Sequence, residues 1–506
     1  MFRAHRIGKS ASTLAAILYL LVAMGAPLSA EPSTSAPAGA LDPLVRSLFD
    51  AGLTPGMQVA VVKGGEIVYS ESFGVADEET GRKVGPETKF YIASTSKALT
   101  GQTAVSLAAK GVIDLDAPIA RYLPKLRLQA PLSADSITTR DLLTHTHGIS
   151  NDGPFTFVPT FTGDYEPADL PRLLEAHGPA ENGRAFTYGN IGYNVAGMVM
   201  GAATGKGWKE LVEAEVTVPA GMTHTTAYCS RAGDDVAMPH RVDSEGFQRL
   251  PFVKIDATMQ PAGGHLSTAG DLARLLVAHL NGGRIDGQPV FPGSVIRETH
   301  RQQATQDRKF GIYHRHGWGI GWDIGTYEAD TLLHRFGTFY GSYFSHVSFM
   351  PDRGIGVVVL LNEGRVAQMT AEAVANAIYD TLLEKPGAEE KWRAFVAEVP
   401  AQLAAIRGDV QKERERRAAR PQSTAHPITA YAGEYENDLY GRMVWTVEEG
   451  RLKVRMGALR SDTEVFDGAK DQIRMELAGS GEVVEFEFEG ERAVGLRYDE
   501  VRFGRK

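Results

Sequence analysis

The chain of 506 residues contains one cysteine, Cys229. No disulfide can close within it, so the fold must rest on a hydrophobic core, which a chain of this length can build. A lone thiol in that setting is read as a small buried hydrophobe rather than a nucleophile. Neither sign of charge dominates. A formal net charge of -9 and a pI near 5.9 give no electrostatic reason to expect nucleic acid or an anionic membrane as partner. No G-x-S-x-G occurs, which excludes the nucleophile elbow of an α/β-hydrolase. H-E-x-x-H and paired-Cys spacings are absent too, so His145-Thr146-His147 and His314-Arg315-His316 are read as structural histidines rather than metal ligands. Gly263-Gly264 and Gly282-Gly283 read as turn glycines, and no phosphate loop is present.

Long apolar runs are equally scarce. Leu14 to Met24 is about eleven residues, too short to cross a bilayer comfortably. Arg3, Arg6 and Lys9 precede it and Ser29-Ala30 follow, which is the pattern of a secretory signal removed near Ala30. Leu28 is not the small residue usual three positions before such a cut, so an uncleaved anchor is the alternative. The expected location is secreted or periplasmic, with no membrane span after cleavage.

The organisation follows from composition and periodicity. Residues 1–30 form the signal, and 31–40 a flexible leader rich in Pro, Ser and Ala. Met57 to Val75 alternates around a Gly turn and predicts a β-hairpin. Ser94 to Lys110 predicts a helix stopped by Gly111, and Asp271 to Leu280 an amphipathic helix. SHVSFMP and GIGVVVLLN predict two strands split by an Asp352-Arg353-Gly354 turn, with a helix over Thr370 to Leu383 behind them. Strands at both ends and helices between predict an α+β domain over 41–385, its antiparallel sheet built from the two chain ends. Residues 386–427 read as a charged helical linker. Residues 428–506 read as short alternating strands of a small β-barrel-like domain, as in VEFEFEG, where Val484, Phe486 and Phe488 share a face.

Ser94-Thr95-Ser96-Lys97 is the only S-x-x-K in the chain. At i and i+3 of a helix the two side chains stack one turn apart. A helix N-terminus there favours a developing oxyanion. The competing reading is plainer: Ser94 caps the helix and Lys97 reaches solvent. A second segment, FTYGNIGYNVAG at 186–197, carries Tyr188-Gly189-Asn190. LLTHTHGI at 142–149 precedes it, and GGHLSTAGDLARLL at 263–276, YHRHGWGIGW at 313–322 and GIGVVVLLN come after it.

Together these segments resemble the serine β-lactamase and penicillin-binding-protein superfamily, in its class C-like branch with related D-peptidases and esterases. The superfamily uses S-x-x-K, then Y-x-N, then a Lys- or His-led triplet ending in Gly. The resemblance spans about residues 41 to 385, and the tail from Tyr431 is similar to the small β-domain appended in some of these hydrolases. It implies a β-lactamase/transpeptidase-like fold, an acyl-enzyme on Ser94, Lys97 and Tyr188 as the base pair, and no cofactor. Which of the two acts first stays open. Asn190 would orient Lys97 and the substrate. The third motif departs from the pattern, because His334-Arg335-Phe336-Gly337 is one residue too long. Either the strand bulges, with His334 and Gly337 as the substrate-binding residues, or His334 is not the family position.

The expected activity is hydrolysis of an amide or ester: a D-amino-acid peptide, a β-lactam or a small ester. A carboxylesterase using the same site is the alternative, supported by a loss of permanent charge at His334 and by Phe155, Phe157, Tyr340, Tyr343 and Phe344. A non-catalytic binder of peptidoglycan fragments is the third reading, and it has no need of a nucleophile with its base. The expected partner is a small-molecule or peptide substrate.

Overall fold

The computed structural model describes residues 38–339, 341–477 and 481–506. The expected signal and residues 31–37 of the leader lie outside them. Among the described residues no helix is long and apolar enough to cross a membrane.

The hairpin forms as strands β1 (Gly56–Lys63) and β2 (Glu66–Asp77), turning at Gly64 and Gly65, both at positive φ. A short β3 (Arg82–Lys83) pairs with β2. The chain returns to this sheet only after some two hundred residues of largely helical structure, with β4 (Ala304–Phe310), β5 (Tyr313–Trp318) and β6 (Asp323–Tyr327). Three long strands follow: β7 (Asp330–Phe339), β8 (Tyr343–Met350) and β9 (Ile355–Leu361). Among the described residues the sheet has nine strands, ordered β4-β5-β6-β7-β8-β9-β1-β2-β3, every pair antiparallel. Its two chain ends meet where β9 pairs with β1.

β9 reads apolar throughout because both faces of the sheet are covered. Val357, Val359 and Leu361 pack with Val374 and Ile378 of one helix, Ala367–Leu382. Val358 and Leu360 pack with Leu272, Leu275 and Leu276 of another, Ala269–Leu280, which Thr268 caps by accepting from the Asp271 amide. The helical insertion places two further helices beside the sheet, Ser96–Ala109 and Ile191–Thr204. In chain order these four are α1 (Ser96–Ala109), α2 (Ile191–Thr204), α3 (Ala269–Leu280) and α4 (Ala367–Leu382). α1 is buried along almost its whole length, wedged between sheet and insertion.

A long helix, α5 (Ala388–Ala418), leads to an eight-stranded closed barrel spanning Gly433–Asn437 to Val501–Arg505. Val484 and Phe486 point into it among Trp445, Tyr435 and Met443, while Glu485 is exposed. The fold is thus a β-lactamase-like antiparallel sheet flanked by helices, followed by a barrel. Leu360→Ala, which opens a void where β9 meets α3, should cost about 3 kcal/mol of stability. A lowered thermal midpoint measures it, and an unchanged midpoint counts against this packing.

Candidate active site

Ser94 is delivered by a strained turn. Phe90–Tyr91 pairs with Leu266–Ser267, and Ala93 then takes φ +43, left-handed backbone that a side chain resists. A 3-10 turn over Ala93–Thr95 precedes α1, which begins at Ser96, two residues later than the sequence suggests. The position before the α-helix is Thr95, and it makes no side-chain cap bond, so the helix does not consume the Ser94 hydroxyl as a cap.

Lys97 lies one turn on and is 0% exposed, which removes the reading of a lysine reaching solvent. Its Nζ lies 2.7 Å from Asn190 Oδ1, 2.9 Å from the Ala262 carbonyl and 3.1 Å from Ser94 Oγ. The first two can only accept from it. A neutral amine that donates to both therefore directs its lone pair at the serine hydroxyl. Burial is the largest cause pulling the Lys97 pKa down to about 8, with the Arg335 charge adding to it and Tyr188 opposing it.

Asn190 is placed by its own backbone. Asn151 Oδ1 accepts from the Asn190 amide at 2.6 Å and the Ile191 amide at 3.3 Å, holding the start of α2. Gly189 lies against that same Asn151, where a Cβ would approach its Oδ1 to 2.6 Å. The Y-G-N spacing thus turns Tyr188 and Asn190 toward Lys97 from one short segment.

Tyr188 has a ring centroid 5.0 Å from Lys97 Nζ, and its hydroxyl accepts from Arg335 Nη2 at 2.8 Å. Burial raises the phenol, but Arg335, then Lys97, and hydrogen bonding to Ser94 and Lys97 outweigh it and bring it down to about 8. Arg335 is held in turn. Its Nη1 donates to Asp323 Oδ2 at 2.9 Å and its other nitrogens reach the Phe336 carbonyl. Asp323, 0% exposed, also accepts from Gln306 at 3.0 Å and lies 3.4 Å from Arg308 and 3.6 Å from Arg315.

This geometry corrects the third motif. Residues alternate across a strand, so Arg335 and Gly337 of β7 share one face and His334 and Phe336 the other. Gly337 passes directly against the serine turn: a Cβ there would lie 2.1 Å from the Ile92 carbonyl and 2.9 Å from the Ser94 amide nitrogen. Only glycine fits. His334 is fully buried on the far face among Tyr313, Phe336 and His346, with Arg315 Nε donating to its Nε2 at 3.4 Å. It does not face Ser94. The triplet ending in glycine is Arg335-Phe336-Gly337, without a bulge in the β7–β8 register. Counting back from the glycine rather than forward from the histidine identifies Arg335 in the sequence. Asp323 and the Ala262 carbonyl carry no comparable signal, because each is brought in from a distant segment.

The remaining candidates take structural places. His145, at φ +61, is sandwiched between Trp318 (4.5 Å) and Tyr188 (4.9 Å) and supports the phenol ring. Its pKa is held well below the ordinary value, by burial first. His147 Nδ1 accepts from the Ile149 amide, and exposed His314 pairs with Asp307. The Cys229 thiol is pushed up to about 11, chiefly by burial and then by Asp256. Phe155, Phe157, Tyr343 and Phe344 are core side chains, and Tyr340 lies outside the described residues.

A family model described as Beta-lactamase matches residues 41–379. Protein flp of Staphylococcus aureus (strain COL) is 24% identical over 331 residues, 64% of this chain and 62% of that protein. The chain therefore matches about three fifths of the length of this curated relative. Among solved structures, the octameric penicillin-binding protein homologue from Pyrococcus abyssi aligns with a TM-score of 0.57 at 21% identity, over 92% of this chain and 99% of that one. The crystal structure of SurE aligns at 0.54 and 18% identity, over 93% and 99%. These two likenesses concern the fold.

If Arg335 lowers the Tyr188 phenol and His334 does not, Arg335→Gln should move its titration upward while His334→Leu leaves it in place. Tyrosine ζ-carbon NMR across the alkaline range reads both. An equal shift in the two variants overturns the assignment of Arg335 to the motif.

Proposed function

The chain belongs to the beta-lactamase family, and on that premise we propose that it is an exported serine hydrolase acting through an acyl-enzyme on Ser94. The observation that carries this reading is the Lys97 amine, fixed by two obligate acceptors so that its third direction meets Ser94 Oγ. A serine hydroxyl is unreactive without an adjacent base. A buried neutral lysine one turn away is such a base.

In the proposed cycle the Ser94 proton passes to Lys97 Nζ, directly or by way of the Tyr188 oxygen, as Oγ bonds to the substrate carbonyl carbon. The carbonyl electrons move to its oxygen, which the Ser94 amide and a β7 amide near Thr338 stabilise. Collapse breaks the bond to the leaving group, which takes the proton back through Tyr188. Water then attacks the acyl-enzyme with the same groups as base. Arg335, fixed by Asp323, keeps the phenolate form of Tyr188 accessible, and Asn190 keeps Lys97 in line.

The substrate is an amide or ester, such as a D-amino-acid peptide, a β-lactam or a small ester. The carboxylesterase version gains support from Arg335. Its donors are engaged by Asp323, Tyr188 and Phe336, so it does not offer a substrate carboxylate the free cation of a Lys-led triplet. The apolar signal at 14–24 supports export of the mature chain.

Ser94→Ala should abolish both turnover and covalent labelling by a fluorophosphonate. Labelling that persists in this variant removes Ser94 from the mechanism. Binding of penicillin or wall fragments with no turnover and no labelling of the native chain would instead favour a binder. Parallel assays with p-nitrophenyl butyrate, nitrocefin and a D-Ala-D-Ala peptide separate the substrate classes. The pH dependence has a defined sign. Both depressed pKa values, near 8, mark loss of a proton from the Lys97–Tyr188 pair to give the basic form. kcat/KM should therefore rise through about pH 8 and be roughly tenfold lower at pH 7 than on the alkaline plateau. A profile flat from pH 6 to 9 contradicts the buried base.

A further inference from the structure

Phe339 continues the face of β7 that carries Arg335 and Gly337. Gly337 abuts Ser94, and Arg335 holds Tyr188, the proton donor to the leaving group in the reading above. The leaving group thus lies toward Arg335 and the acyl group toward Phe339. Phe339 is half-buried. Its ring stacks on Phe161, centroids 6.0 Å apart and planes 20° apart, and meets Tyr91 edge-on at 5.3 Å.

Phe161 itself lies outside the sheet. It belongs to the turn Val158–Thr162, which is fixed from two sides. From below, buried Lys254 donates to the Thr160 carbonyl at 2.7 Å and the Thr258 carbonyl at 3.0 Å, its Nζ 4.7 Å from the Phe339 ring centroid. From above comes the C-terminal barrel. The Ala458 amide, in the turn between strands Arg451–Met456 and Leu459–Asp467, donates to the Thr162 carbonyl at 2.8 Å. Gly457 beside it has φ +55, and a Cβ there would approach the Thr162 oxygen to 2.2 Å. One turn earlier, Phe157 packs on Phe161 (5.5 Å) and on the barrel's Tyr440 (5.9 Å).

We propose that Phe161 and Phe339 form a subsite for an apolar, ring-sized acyl group, and that the barrel sets its width through the contact of Gly457 with Thr162. The inference rests on Ser94 being the nucleophile and adds the chemistry of the substrate's acyl side. A half-buried ring on the strand face that passes Ser94, stacked on a second half-buried ring, rewards an apolar substituent. The barrel is then part of substrate selection, although it contributes no reacting group.

The test uses the full chain, its Phe161→Ala and Gly457→Ala variants, and two esters sharing one leaving group, p-nitrophenyl acetate and p-nitrophenyl phenylacetate. Native chain should prefer the phenylacetyl ester in kcat/KM. Phe161→Ala should reduce that preference by about tenfold, the scale of a lost apolar contact, and Gly457→Ala should reduce it in the same direction. Labelling of Ser94 by a small methyl fluorophosphonate should stay within about twofold of native in both, with thermal melts checking that each variant is folded. Unchanged preference in a folded Phe161→Ala chain overturns the subsite, as does native chain that labels but releases p-nitrophenol from neither ester. Unchanged preference in folded Gly457→Ala alone overturns the role given to the barrel. Native chain that fails to label overturns the Ser94 reading, and the subsite with it.

Discussion

The site depends on one buried amine. An ammonium without solvent is costly unless it is paired with anions, and around Lys97 Nζ stand Ser94, Asn190, the Ala262 carbonyl and the Tyr188 phenol, none of them a carboxylate. Burial is the largest cause acting on the amine and lowers its pKa to about 8, so that it becomes a free base just above neutral pH. The rest of the local structure serves that geometry. Ala93 accepts a strained backbone so that Ser94 turns inward, Gly337 gives up its side chain so that a strand can pass, and Asn151 locks the segment carrying Asn190.

Tyr188 is governed by charge rather than by burial. Alone, a phenol in this position would be driven upward. Arg335, together with Lys97 and the hydrogen bonds to Ser94 and Lys97, reverses this, and Asp323 anchors Arg335. Around Asp323 stand Arg308, Arg315 and Arg335, three guanidiniums to one carboxylate. Burial lowers the pKa of both Arg308 and Arg315, the sign of cations short of counter-charge. A phenolate at Tyr188 supplies part of that charge. Removing one partner of such a buried set leaves the others exposed to the full desolvation cost, so the cluster behaves as a unit.

The architecture explains how such distant segments meet. β1 and β9 pair although some three hundred residues separate them, and the helical insertion between sheet segments is thereby pressed against β7. Ser94 and Lys97 come from one helix start, Tyr188 and Asn190 from another, and Arg335 and Gly337 from the sheet. The barrel closes on its own hydrogen bonds and still reaches the insertion through Thr162 and Phe157.

The sequence by itself determined what is local. The hairpin, the apolar β9, the strand alternation of the barrel and the pairing of Ser94 with Lys97 are all set by neighbours within a few positions, where periodicity and i,i+3 stacking operate. Y-G-N was readable for the same reason. Tertiary structure alone decided which face of β7 meets the serine. A slip of one residue exchanges the two faces, and H-R-F-G has a basic side chain at both positions. The register with β8 and the close approach that demands glycine at 337 tell His334 and Arg335 apart. The anchoring of Arg335 by Asp323, and of Phe161 by the barrel, likewise arises from contacts across the folded chain that no local pattern encodes.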